Sequence, residues 1–308
     1  MALLSQYLTV AELLNAPTGL DLKNIPAPGS TGPSGVKGID NYAELTNIIQ
    51  RASSMMDTFC RQILGATTDS EEAWTQSRKC GINKEGHLWF HTGNNPVISV
   101  SSFRYGYPAV GGTSWTSATV SDILITGERN NHLIYPAFFE RFNVPKLRIQ
   151  VTYVNGYPNT MMSGSAKVAA GATSLPLKDL TGIVAGQKLY VYDQGNTELV
   201  TVASNWTQTT GAGSVTLAAG TAFDHTPTQK ADVVAGGQAY DIAVSALPPD
   251  IKQACIMIVK LLVEKRGSNA LVMGKAGGIS GSTAEHKSGD EEIPVEAQEI
   301  LHAYRAVL

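Results

Sequence analysis

Leu147-Arg148-Ile149-Gln150-Val151-Thr152-Tyr153-Val154 runs straight into Asn155-Gly156-Tyr157-Pro158, and much further along the chain reads Ala246-Leu247-Pro248-Pro249-Asp250-Ile251-Lys252-Gln253-Ala254. The first stretch alternates like a strand and ends in turn residues. The second opens a helix, because prolines at its first positions give up amides that have no intrahelical partner anyway. Between them the composition shifts to Gly, Ala, Thr and Val in short runs that read as β-structure. Without that middle part the flanks join as one strand–turn–helix unit. The expected fold is therefore α+β: a mainly helical host domain with a small sheet, residues 1–159 and 244–308, interrupted by an all-β sandwich or barrel at 160–243. Such insertions are tolerated best in exposed loops.

Outward from these flanks the host reads as helices. Thr9-Val10-Ala11-Glu12 fits a capping box, in which a hydroxyl and a carboxylate satisfy each other's backbone donors. A short helix through Leu13 and Leu14 then stops before Pro17. Residues 26–38, rich in Pro and Gly, form a loop. Asp40 caps a long helix with apolar residues at Leu45, Ile48, Ile49, Ala52, Met55, Met56, Phe59 and Ile63, one stripe at helical period, and Gly65 ends it. From about 86 to 154 short alternating runs (His87–Phe90, Val97–Val100, Asp122–Ile125, Leu147–Val154) predict a small mixed or antiparallel sheet covered by the helices. The helix after Pro249 buries Ile251, Ala254, Cys255, Ile258, Leu261 and Leu262. Ile256, Val259 and Val263 widen that stripe until both sides need cover, so the expectation is core plus some subunit contact. Residues 274–290 read as a flexible Gly/Ser loop, and Pro294 starts a last helix carrying Ala297, Ile300, Leu301 and Tyr304 on one face.

Within 160–243, Leu189–Tyr192 and Glu198–Val202 flank Asp193-Gln194-Gly195-Asn196-Thr197, a hairpin signal. Ser214–Leu217 and Ala239–Val244 add strands. The runs Ala170–Leu175 and Gly182–Gln187 resemble small β-modules of phage structural proteins.

The chain has 308 residues, a formal net charge of −3 and 16% charged residues. That balance argues against a protein that grips nucleic acid with a basic face. No membrane span and no signal-peptide pattern is read. Cys60, Cys80 and Cys255 are odd in number and scattered, as expected of reduced thiols in a cytosolic product.

Chemistry is hard to find. Cys80, His87 and His91 suggest zinc, but on a strand the two histidines lie about 13 Å apart, too far for one ion about 2 Å from each nitrogen. Gly274-Lys275-Ala276-Gly277-Gly278 lacks the order of a phosphate loop and follows a helix where that motif needs a strand. Asp179, Asp193, Asp224 and Asp232 lack calcium-loop spacing and read as solvated turn residues. There is no Gly-x-Ser-x-Gly elbow or HExxH helix. The chain is read as no enzyme, with no cofactor and no metal.

The ends carry a resemblance. A strand closing in Tyr153-x-x-Gly156-Tyr157, then Leu247-Pro-Pro-Asp-Ile-Lys-Gln-Ala254, then Ile293-Pro-x-x-Ala297-x-x-Ile300-Leu301-x-x-Tyr304-Arg305 is similar to the head–tail connector (adaptor, head-completion) proteins of tailed bacteriophages. The resemblance implies a structural virion protein at the head–tail interface, made in the host cytoplasm. It implies a ring of commonly twelve copies between the portal vertex and a tail-side neck or tail terminator protein, with double-stranded DNA passing through the lumen without sequence-specific binding and no membrane contact. A terminal segment engages the portal in such proteins. Here that segment is loop 270–292 with the helix Pro294–Val307, and Ile293, Val295, Ile300, Leu301, Tyr304 and Arg305 are the candidate portal or subunit contacts; closure of the helix core stays open for Tyr304, and a solvated helix-end charge for Arg305. The two long loops suit ordering on assembly. Two other readings stay open: a binding module whose β-insert takes a carbohydrate or host-surface group on Trp206, Tyr190 and Tyr192, and a hydrolase for which no constellation can be named.

Overall fold

The computed structural model describes residues 6–20, 22, 37–75, 77–109, 112–127, 129–138, 146–164, 167–193, 195–227, 241–267 and 293–306. The loops expected at 26–38 and 270–292, Asp232 and the Gly274–Gly278 run lie wholly or almost wholly outside these residues.

The helical part gathers four elements around one apolar core: α1 (Val10–Asn15), α2 (Lys37–Cys60), α3 (Pro249–Gly267) and α4 (Val295–His302). The capping box forms as the sequence predicts, with the Thr9 side chain accepting from the Glu12 amide and the Glu12 carboxylate accepting from the Thr9 amide. The α2 stripe is buried at Leu45, Ile48, Ile49, Ala52 and Met56, and the α3 stripe at Ile251, Ala254, Cys255 and Ile258, whereas Met55, Phe59, Leu261 and Leu262 are half-buried and Ile63 falls beyond α2, exposed. Two boundaries differ. α2 begins at Lys37, ahead of Asp40, and stops at Cys60, where Arg61 takes φ 56° before Gly65 is reached. α4 ends at His302 and the chain then turns.

Between α2 and the next helix the expectation fails. A mainly helical host with a small sheet is not what the chain builds: among the described residues it is mostly β, with fourteen strands in four sheets, 23% helix and three helices of seven residues or more. Residues 67–155 make two antiparallel four-stranded sheets. One orders β1 (Thr67–Trp74), β8 (Arg148–Asn155), β4 (Val97–Ala109) and β5 (Gly112–Ser117) as β1-β8-β4-β5. The other orders β2 (Cys80–Ile82), β3 (Leu88–His91), β7 (His132–Tyr135) and β6 (Leu124–Thr126) as β2-β3-β7-β6. Side chains of both sheets, among them Phe90, Phe103, Leu133, Val151 and Tyr153, share one core. This unit hides its own apolar surface and does not need helices to cover it.

The remaining strands are β9 (Asn159–Met161), β10 (Ser174–Leu177), β11 (Lys188–Tyr192), β12 (Glu198–Thr201), β13 (Gly213–Thr216) and β14 (Ala243–Ser245). They form a sheet ordered β12-β11-β14-β9 and the pair β10-β13, linked by bridges at Met162–Leu177 and Val202–Leu217. Leu175, Leu177, Ile183, Leu189, Val191 and Val215 fill their core. β9 and β14 pair with Asn159 opposite Ser245, and the Ala246 amide donates to the Pro158 carbonyl at 2.8 Å. The chain thus leaves and re-enters the helical part at adjacent points.

Candidate assembly site

β8 ends where Asn155 gives way to Gly156, whose φ of +86° turns the backbone toward the end of α2. There the Tyr157 amide donates to the Leu64 carbonyl and the Ala66 amide to the Tyr157 carbonyl, both at 2.9 Å. This exchange points the Tyr157 ring at the helical core, where it meets Tyr304 edge-on at 6.1 Å. The Tyr304 hydroxyl donates to the Asp250 carboxylate, 2.8 and 2.7 Å from its two oxygens. Asp250 sits in the first turn of α3 and also accepts from the Ile251 amide at 2.9 Å. Burial, then the Asp250 hydrogen bond and charge, push the Tyr304 phenol upward, and burial followed by Asp250 does the same to Tyr157. Three stretches far apart in sequence therefore close on one tyrosine–aspartate–tyrosine joint.

The run after α4 is fastened to the end of α2. Gln62 donates its side-chain amide to the Tyr304 carbonyl at 2.6 Å, the Ala306 amide donates to the Cys60 carbonyl at 2.8 Å, and the Arg305 guanidinium lies 5.1 Å from the Phe59 ring centre. Arg129 reaches from the first β-unit to the Arg305 carbonyl at 2.8 Å. Removing the Tyr304 hydroxyl in Tyr304→Phe leaves the Asp250 carboxylate without this donor. The expected loss is about 1.5 kcal/mol of stability, read as a lower thermal unfolding midpoint of the full chain.

The six candidate contacts divide on this framework. Leu301 is fully buried and Ile293 nearly so, while Ile300 and Tyr304 pack on the same helical core and Arg305 is half-buried. Only Val295 stands out, 65% exposed at the start of α4. The breadth of α3 is likewise largely met from within, since Ile256, Met257, Leu262 and Val263 pack against the core.

Other candidates separate. Cys80 is buried beside Ser77, His87 faces Glu85 at 3.4 Å, and His91 stacks on His132 with centroids 4.3 Å apart. Among the described residues no group of three or more His, Cys, Asp or Glu side chains could hold a metal ion. All three cysteines are buried and free, and burial drives the Cys60 and Cys255 thiols up to about 12, far from the reactive thiolate. Of the insert's aromatic candidates, Trp206 and Tyr192 pack against its core, whereas Tyr190 is 44% exposed opposite the exposed Leu199. No helix among the described residues is long and apolar enough to cross a membrane.

Two clusters were not legible in the sequence. On the outer face of the first sheet Lys146, Trp74, Arg148, Trp115 and Arg104 alternate as a ladder, each cation 5.0–5.8 Å from a ring centre, with Glu72 paired to Arg148. Its members come from different strands or their approaches, so no spacing signals it. The second corrects the reading of one insert aspartate as solvated: Asp193 is 1% exposed and bonds the buried His225, whereas Asp179 and Asp224 are exposed as expected. Asp224 pairs with Lys167, and Asp179 caps the turn at Thr181.

Compared with models of known families and with curated protein sequences, the chain matches none of them. The connector resemblance stands on the residues quoted above and on nothing broader.

Proposed function

We propose that this chain is the subunit of a head–tail connector ring in a tailed bacteriophage virion, seated between the portal vertex and the tail, with double-stranded DNA passing through its lumen. One observation carries the reading. The three stretches on which the resemblance rests are far apart in sequence, yet Tyr157, Asp250 and Tyr304 from those stretches meet at one joint. That convergence supports reading the three stretches as parts of one unit. In this reading residues 1–159 and 244–308 form the body that stands beside its copies, and 160–243 is a guest on its outside. The mild net negative charge of −3 suits a channel that must not hold DNA, since phosphate contacts from basic residues supply most non-specific affinity.

The direct test is mass spectrometry and negative-stain microscopy of purified virions of the encoding phage, with and without this gene. The expected result is the polypeptide at the neck, and filled heads without tails when it is missing; virions that never contain it overturn the proposal. Val295→Asp probes the exposed end of α4. The exposed position predicts a stability change within about 0.5 kcal/mol, whereas co-purification of the chain with portal rings should fall severalfold.

A second reading keeps one specific observation: Tyr190 and Leu199 lie side by side and exposed on the insert. A glycan array probed with the full chain and with Tyr190→Ala separates a sugar-binding insert, which loses signal in the variant, from a purely structural one.

A further inference from the structure

His225 is fully buried and both of its ring nitrogens meet carboxylates, Nδ1 at 3.1 Å from Asp193 and Nε2 at 2.7 Å from Glu198. Facing two ionised carboxylates on opposite edges, only the doubly protonated ring donates to each of them, so this geometry favours the imidazolium. Opposite placement also rules out a shared metal, because no single ion can touch both carboxylates through the ring. The cluster ties two elements together. Asp193 follows β11 and Glu198 opens β12, while His225 ends a segment that begins at Thr221. Glu198 accepts from the Ala222 and Phe223 amides at 2.8 and 3.3 Å, and Asn196 donates to the Asp224 carbonyl at 3.1 Å. On its other side the segment pairs with residues 168–172: His225 and Val168 exchange backbone hydrogen bonds at 2.8 Å, and Thr221 bonds Gly171 and Ala172.

We propose that Asp193, His225 and Glu198 form a pH-dependent latch that clamps the 221–225 segment onto the β11–β12 hairpin in mildly acidic solution and lets it open as the solution turns alkaline. The inference concerns the insert alone and does not rest on the connector reading.

Burial by itself lowers the affinity of the His225 ring for its proton, but the hydrogen bonds and charges of Asp193 and Glu198 outweigh it and the net shift is upward from 6.5. For Glu198, burial acts upward, but the Ala222 amide, His225 and the Phe223 amide together hold it below 4.5. The nearby charged side chains Asp224 and Lys167 pair with each other at 2.5 Å. The raised histidine contributes stability that is complete below 6.5 and is lost as pH rises through its folded value. The depressed glutamate contributes stability that is complete above 4.5 and is lost as pH falls through its folded value. The latch is therefore tightest between about pH 4.5 and 6.5 and loosens on both sides.

Hydrogen–deuterium exchange of the full chain, read by mass spectrometry from pH 5 to 9 and corrected for intrinsic rates, tests this. Peptides covering 168–172 and 221–225 should lose protection above pH 6.5 by up to tenfold per pH unit, the limit for one linked proton. Peptides of α2 and α3 should not. His225→Gln, which keeps a donor and an acceptor but no charge, should show low protection in 221–225 at every pH and no slope. Should that variant fail to fold, the wild-type profile still decides. Flat protection in 221–225 across the range, or the same slope in the helical peptides, overturns the latch.

Discussion

Gly156→Ala should destabilise the chain by about 3 kcal/mol or more, one of the largest effects expected of any single methyl group here. Two costs combine. The residue sits at φ +86°, a conformation that an L side chain occupies only at about 1–2 kcal/mol. Its backbone also lies against the segment that follows α2, so a Cβ would strike the Gly65 carbonyl oxygen and come within 2.9 Å of that of Leu64. Neither is the flexible end of a side chain, so the backbone would have to part, and overpacking of this kind typically costs a further 1–3 kcal/mol. The displaced atoms are those that carry the Leu64–Tyr157–Ala66 hydrogen bonds, and through Tyr157 the contact with Tyr304 and the approach to Asp250. Gly171 supplies the control. It shares φ +86° but has nothing within 4 Å of its would-be Cβ, so Gly171→Ala should cost only the conformational part. Chemical denaturation of both variants distinguishes them. Equal losses would mean that the close approach at Gly156 does not matter.

The same glycine shows what was legible. Asn155-Gly156-Tyr157-Pro158 announces a strand end, and the helical stripes announce which faces are buried, because period and punctuation are local signals. The hairpin at 189–201 was equally plain, and Val191 does pair with Glu198. The error in fold class comes from strands that carry no apolar alternation. β1 reads Thr-Thr-Asp-Ser-Glu-Glu-Ala-Trp, and its half-buried positions are Thr67, Asp69, Glu71, Ala73 and Trp74. That edge strand is held by polar partners: Glu71 accepts from the Tyr153 hydroxyl and the Gly93 amide, and Asp69 from the side chains of Asn94 and Asn155. β5, Gly-Thr-Ser-Trp-Thr-Ser, is similarly silent to a hydrophobic template. With these two strands unread, and the short β2 and β7 beside them, a two-sheet unit shrinks to a small sheet in need of helices. The buried Asp193–His225–Glu198 cluster was hidden for a different reason. Its members lie in different segments, and each alone resembles an ordinary turn or strand residue. Among the proposed contact residues, helical period told that Ile300, Leu301 and Tyr304 share a face and left core closure open for Tyr304, but could not decide between that closure and a partner; the chain's own core covers the face.

Glu12→Gln should lower stability by about 3 kcal/mol, although glutamine is the accepted substitute at this position of a capping box. The reason lies in α3. Glu12 accepts from the Thr9 amide at 2.8 Å and from the Lys252 ammonium at 2.5 Å, with the two side chains only 7% and 15% exposed. Glutamine can keep the cap, so what the substitution removes is the charge facing Lys252. An ion pair with this little water contributes modestly as a pair, because desolvation offsets attraction, but breaking one half leaves a charge that neither protein nor solvent compensates. The consequence is a sign that simple addition would miss. Lys252→Met alone should cost less than Glu12→Gln, since a carboxylate with the Thr9 amide and hydroxyl still has donors. Glu12→Gln combined with Lys252→Met should recover more than 1 kcal/mol relative to the sum of the singles, because the orphaned ammonium is gone and an apolar stem fills its place. Urea denaturation of the three variants measures this coupling directly. Additivity within about 0.5 kcal/mol, the behaviour of independent sites, would show that α1 is held to α3 by apolar packing alone and that the Glu12–Lys252 pair is incidental.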